Sequence, residues 1–312
     1  MSKRNVVIGI GILIIFSMII SAFYPSNLGS RGGTGEKVAV IYIEGVITGG
    51  TQPNSFVSSN CNTDAVIKQI RVAKNDPSVK AVVLRINSPG GSAPASQEIT
   101  EEIIKLKTSG KPVVTSMGDT AASGAYWIAS ATDKIYANPG TLTGSIGVYI
   151  SYTNLEDLYQ KIGLRPEIFK SGPHKDILSS DRKITPEERV IIQDIVEDIY
   201  NQFVDVVAKG RNLEYEKAKG LADGRIYTGK QAKEVGLVDE LGNMYGAVDE
   251  AAKLAGIKGE PQIVEYKDTS PLSMLLGATG EVELGNILRK ELKQQLLLNE
   301  LFLMMPGYKT GS

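Results

Sequence analysis

Two short segments of this chain carry residue types that could do chemistry. The first, Met117 to Ala129, reads MGDTAASGAYWIA. Ser123 stands there between Ala122 and Gly124, where an apolar strand-like run gives way to a helix-like one. Small neighbours let a substrate backbone approach a hydroxyl, and a helix N-terminus lends positive dipole character to the oxygen. The chemistry implied is nucleophilic attack; for this segment alone, a serine with a purely structural role is the competing reading. The second segment, Arg85 to Ser92, reads RINSPGGS. Its paired glycines permit a tight turn whose backbone N–H groups can face a ligand oxygen. The alternative is a plain strand-to-helix turn.

A serine nucleophile needs a base. His174 is the only histidine, and Lys175 follows it directly. On an extended segment adjacent side chains point to opposite faces, so one of the two is expected to reach Ser123. A single histidine and a single cysteine, Cys61, exclude a zinc site of several histidines, an intrachain disulfide and a multi-cysteine metal site. Cys61 reads as a small filler. The formal net charge of -1 over 312 residues gives no sign of a nucleic-acid surface or a polybasic lipid binder.

The elements that must position these residues alternate in type. Lys37 to Ile47 is a nearly continuous apolar run, as in a strand buried on both faces. Asn62 to Ala73 has helical spacing with Thr63 as N-cap, and Val79 to Ile86 is a second buried strand. A helix follows from about Pro94 to Leu106, then strands at Pro112 to Ser116 and Lys134 to Tyr136, with a short helix between them from Ser123 to Ser130. Alternating strands and helices predict right-handed βαβ units and a parallel sheet. Thr185-Pro186-Glu187-Glu188 is a capping box opening a helix to about Lys209, whose Ile191, Ile195, Ile199, Phe203 and Val206 form a stripe expected to face the core.

The N-terminus has a different character. Val6 to Tyr24 carries no charge, and its 19 residues nearly span a bilayer core of about 30 Å. Lys3 and Arg4 precede it, so the positive-inside rule puts the N-terminus in the cytoplasm and the remainder outside. A cleaved secretory signal is the rival reading, weakened by Phe23 where a small residue is wanted and by the length of the run. The expected organisation is an anchor at 1–25, a Gly-rich linker at 26–36, a catalytic domain at 37–256 and a C-terminal extension at 257–312 with a Leu-rich helix.

Taken together the two reactive segments resemble the signal peptide peptidase (protease IV) family, within the superfamily of the Clp protease and the crotonases. The resemblance continues through Leu142 to Val148 (LTGSIGV), Lys170 to Ile177 (KSGPHKDI) and Ala222 to Ala232 (ADGRIYTGKQA), and spans roughly Lys37 to Ala252. It implies a Clp/crotonase-like α/β fold with Ser123 as nucleophile and Lys175, rather than His174, as general base. It further implies that Ser145 orients the lysine and that the N–H groups of Gly90 and Gly124 form the oxyanion hole. The chain has Gly124-Ala125 where family members often have Gly-Gly, which is expected to alter packing rather than abolish activity. No metal or organic cofactor is implied. The expected substrates are apolar peptides, signal peptide remnants above all, and the expected assembly is a membrane-bound homo-oligomeric ring. A crotonase-like acyl-CoA enzyme and a non-catalytic membrane scaffold are the competing functions.

Overall fold

The structure, a computed structural model, describes residues 35–50 and 60–266. The expected anchor and the Leu-rich tail lie outside the described residues. Among the described residues no helix is long and apolar enough to cross a membrane.

The protein is an α/β fold on a mostly parallel sheet. The main path of the sheet runs β10 (Gln262–Tyr266), β1 (Lys37–Glu44), β4 (Val79–Ser88), β5 (Val113–Ala122), β6 (Lys134–Ala137), β9 (Glu240–Leu241). All five pairings along it are parallel. Side chains of adjacent strand residues leave opposite faces, and here both faces are covered. Val38, Val40, Ala81, Val83 and Val114 pack with Ala247, Val248, Ala251 and Ala252 of α8 (Met244–Leu254). Ile41, Ile43, Leu84 and Val113 belong to the larger core on the other face. That core is closed by α1 (Thr63–Asn75), α2 (Ala93–Thr108), α3 (Gly124–Ser130) and the end of α5 (Pro186–Gly210). Double coverage is why Lys37–Glu44 reads as an unbroken apolar run.

Four details differ from the sequence expectation. The first apolar run is two strands, because Gly45 turns with φ 78° and sends β2 (Val46–Thr48) off to pair with β3 (Asn60–Asn62). Asn62, not Thr63, caps α1, accepting from the Ala65 N–H; the Thr63 hydroxyl instead donates to the Thr48 carbonyl. The folded domain continues past residue 256, since β10 pairs with β1. Finally, the apolar stripe of α5 reaches the core only in its second half: Phe203, Val204 and Val207 are buried, whereas Val190 and Ile195 are exposed. The capping box at Thr185 and Glu188 is formed as expected.

Candidate active site

Strand β5 delivers the candidate nucleophile. Its first half pairs with β4 and β6, but Thr120 to Ala122 pair with β7 (Leu142–Gly144), which in turn pairs antiparallel with β8 (Ile226–Thr228). The hydroxyls of Thr141 and Thr143 donate to the carbonyls of Gly118 and Ala121, each at 2.7 Å, so backbone acceptors at the diverging end stay satisfied. The strand stops at Ser123, whose φ of 54° and ψ of -126° lie where residues with side chains rarely go. Such a backbone costs about 1–3 kcal/mol and survives only when its surroundings over-determine it.

They do so here. The Ser123 N–H donates to the Gly144 carbonyl at 2.9 Å. One turn into α3, the buried Tyr126 hydroxyl donates to the Leu237 carbonyl at 2.8 Å. Trp127 lies against Phe203 of α5 with ring centroids 4.9 Å apart. From Ala121 to Ser130 every residue is buried except Ser123. The strained turn thus leaves one hydroxyl accessible on an otherwise sealed element.

The Ser88-Pro89-Gly90-Gly91 turn leans directly on it. Gly90 has φ 98°, and a methyl there would lie 2.6 Å from the Ala122 carbonyl oxygen, 2.7 Å from Gly124 N and 2.8 Å from Ser123 Cβ. Gly91 is pinned between strands, its main chain bridging to Ile47; a methyl there would lie 2.2 Å from the Ile47 oxygen. Two glycines are needed because two backbones approach too closely for any side chain. The Gly90 N–H donates to Ser88 Oγ at 3.1 Å. Ser145, at φ 50°, has its N–H on the Arg225 carbonyl at 2.8 Å and lines the same cleft as Ser123.

That cleft, about 750 Å³, is bordered by Gly90, Gly91, Ser123, Ser145, Tyr200 and Asp223 among others. A smaller cavity of about 280 Å³ opens from Ser123 and Gly124, with Trp127, Val148, Ile150, Ile199 and Phe203 in its wall. Asp223 and Tyr200 were not anticipated as cleft residues. Asp223 carried a signal, since it sits within the ADGR motif, but Tyr200 enters by helix packing that no local pattern reveals. Arg225 hydrogen-bonds the Asp223 carboxylate and holds it below the usual carboxylate range.

Gly90, Ser123, Gly124 and Ser145 therefore converge, and Lys175 does not join them within one chain. Lys175 is exposed, on a turn whose neighbour His174 places Nε2 3.6 Å from Glu187 Oε1 at the start of α5. Tyr200, which lines the cleft, follows Glu187 by 13 residues on that helix. At 1.5 Å per residue the separation is about 20 Å. His174, the rival base, is likewise absent from the residues bordering the cleft.

The profile of Peptidase family S49 matches residues 105–258, and that of Clp protease matches residues 54–141. A protein of Enterococcus faecium named "Putative signal peptide peptidase SppA" is 40% identical over 251 residues, covering 79% of this chain and 73% of the relative. The chain belongs to peptidase family S49. It is a serine peptidase, and Ser123 lines both its cleft and the smaller cavity. A Synechocystis relative named "Putative protease slr0021" is 45% identical, with 78% of this chain and 83% of the relative aligned. Protease 4 of Salmonella typhi is 40% identical over 76% of this chain, which spans 38% of that longer protein.

Proposed function

We propose that this S49 peptidase is a membrane-anchored endopeptidase that cleaves apolar peptides, remnant signal peptides foremost, with Ser123 as nucleophile and Lys175 of a second copy as general base. The observation that carries this reading is the close approach of Gly90 and Gly124 to the strained, accessible Ser123 beside an apolar cavity. The cavity's aromatic and aliphatic wall suits an apolar side chain next to the scissile bond. The name of the Enterococcus relative supports the signal peptide as substrate. The uncharged run from Val6 to Tyr24 supports an anchor that keeps the site on the outer membrane face, where such remnants accumulate.

In the proposed reaction Ser123 Oγ attacks the peptide carbonyl carbon while Lys175 Nζ takes the hydroxyl proton. The carbonyl oxygen becomes an oxyanion held by the N–H groups of Gly90 and Gly124. As the stronger acceptor, it takes over the Gly90 N–H from Ser88 Oγ. Collapse expels the amine, which receives the proton from Lys175. Water then attacks the acyl ester, gives its proton to Lys175, and the acid leaves as Ser123 regains a proton. Lys175 must be neutral to start this cycle. Docking against an apolar cleft desolvates it and favours the neutral form.

A base that does not border the nucleophile's cleft in its own chain is best supplied by a neighbour. Exposed Phe169 (93%) and Tyr149 (86%) on the segment before Lys175 support an interface there, in line with a homo-oligomeric ring. The test is complementation. Ser123→Ala and Lys175→Ala chains, each inactive alone on a fluorogenic apolar peptide, should regain activity when co-expressed and co-purified. Absence of recovery in a demonstrated mixed oligomer would sink the shared site.

A further inference from the structure

The turn that carries Lys175 has almost no apolar packing, yet it is tied down by charge. Asp176 accepts from Arg182 Nε and Nη2, each at 2.8 Å, and from Lys170 Nζ at 2.7 Å. Its side chain is only 9% exposed. Arg182 also reaches across to Glu188 through Nη1 at 2.8 Å and Nη2 at 2.5 Å. Glu188, buried in the first turn of α5, accepts from the Thr185 N–H at 2.9 Å as the second half of the capping box. One guanidinium therefore bolts the residue after Lys175 to the start of the long helix. Bidentate pairing on both sides fixes orientation as well as distance.

We propose that Asp176, Arg182 and Glu188 form a rigid frame that positions Lys175 for delivery to the Ser123 cleft of a neighbouring copy. The inference rests on the proposed role of Lys175 as base. Asp176, Arg182 and Glu188 touch neither substrate nor nucleophile; they are positioning residues. The frame is also charge-balanced, its two carboxylates matched by Arg182 and Lys170, so it holds the lysine without stabilising an ammonium. Other charges near Lys175 on its own segment are His174, Asp181 and Lys183. Glu187 faces the same region from α5.

The experiment uses the purified full chain carrying Arg182→Gln, Arg182→Lys or Asp176→Asn, assayed on an apolar fluorogenic peptide from pH 6 to 10. For Arg182→Gln, kcat should fall about tenfold or more with KM within about twofold, and the rising limb of the pH–rate profile should move up by about half a unit. That shift follows because the two carboxylates left behind favour the charged lysine. Asp176→Asn should move the limb down, the opposite sign. Arg182→Lys should recover part of kcat. Co-expression of Arg182→Gln with Ser123→Ala should restore activity, since the second chain supplies an intact frame; co-expression with Lys175→Ala should not. Wild-type kcat in Arg182→Gln, or a loss with no limb shift and no rescue by Ser123→Ala, overturns the frame. Should Arg182→Gln fail to fold, Arg182→Lys and Asp176→Asn decide: the charge-conserving change should leave the limb in place, and loss of the carboxylate should move it down. Failure of the shared site would appear separately, as no recovery between Ser123→Ala and Lys175→Ala.

Discussion

The two halves of the proposed catalytic pair sit in opposite kinds of structure. Ser123 is embedded in the densest part of the molecule, between β5 and α3, with buried neighbours on both sides. Lys175 lies in a stretch, residues 147 to 187, that contains no buried residue at all. A strained φ can be maintained only where packing leaves no alternative, so the nucleophile needs the core. A base that must meet the cleft of another copy cannot be in the core, so its segment is held by ion pairs, which keep their geometry at a surface. The difference teaches that one active site can draw rigidity from two unrelated sources, burial for one residue and charge for the other.

The hardest way to break the core half is through its glycines. Gly90→Ala places a methyl within 2.8 Å of Ser123 Cβ and forces a left-handed backbone on an alanine. Loss of the oxyanion geometry predicts a fall in kcat of about 10²-fold or more, and the strained turn a loss of stability of about 1–3 kcal/mol. Peptide hydrolysis and thermal unfolding measure the two separately. Wild-type kcat in a folded Gly90→Ala protein would mean that the turn does not form the oxyanion site.

Much of the core half was legible in the sequence. The unbroken apolar run at Lys37–Glu44 announced a doubly covered strand, and the alternation of elements announced the parallel sheet. Ser123 and the Gly90-Gly91 turn were readable because strain and close approach leave a residue-type signature, small side chains in a row. What was not readable depended on partners distant in sequence. The split at Gly45, the return of Gln262–Tyr266 to the edge of β1, and the entry of Tyr200 into the cleft are decided by pairing and packing, not by local pattern. The α5 stripe misled for a related reason: its spacing is helical throughout, but only the half beyond Ile199 has a core to meet. The Asp176–Arg182–Glu188 cluster left no local signal, because a charge pattern does not say which charges will pair.

A middling effect is expected where the core half borders substrate. Phe203→Leu removes the ring that lies 4.9 Å from Trp127 and enlarges the apolar cavity beside Ser123. The lost contact predicts about 1 kcal/mol of destabilisation. It also predicts a several-fold shift in preference toward bulkier apolar residues next to the scissile bond, read as ratios of kcat/KM over a peptide series. An unchanged ratio across the series would place the specificity pocket elsewhere and leave Phe203 as packing alone.

The smallest effect is expected from acid, and it should act on the charge-held half first. Hydrogen bonds from Arg182 hold the Glu188 carboxyl down at about 2, and the same guanidinium, with Lys170, holds Asp176 well below the usual carboxylate range. A depressed folded-state pKa means that the stabilisation is complete above the unfolded value, near 4, and is lost as pH falls through the folded value. Both groups stay ionised above pH 4, so the global fold should barely respond there. Between about pH 4 and pH 2 the 170–188 segment should become susceptible to an acid protease before the sheet unfolds, and Arg182→Gln should bring that susceptibility to higher pH. Cleavage sites mapped by mass spectrometry decide the order. First cuts within the Ser123 half would mean that the ion pairs are not what holds the arm, and the contrast between a packed nucleophile and a charge-held base would fall with them.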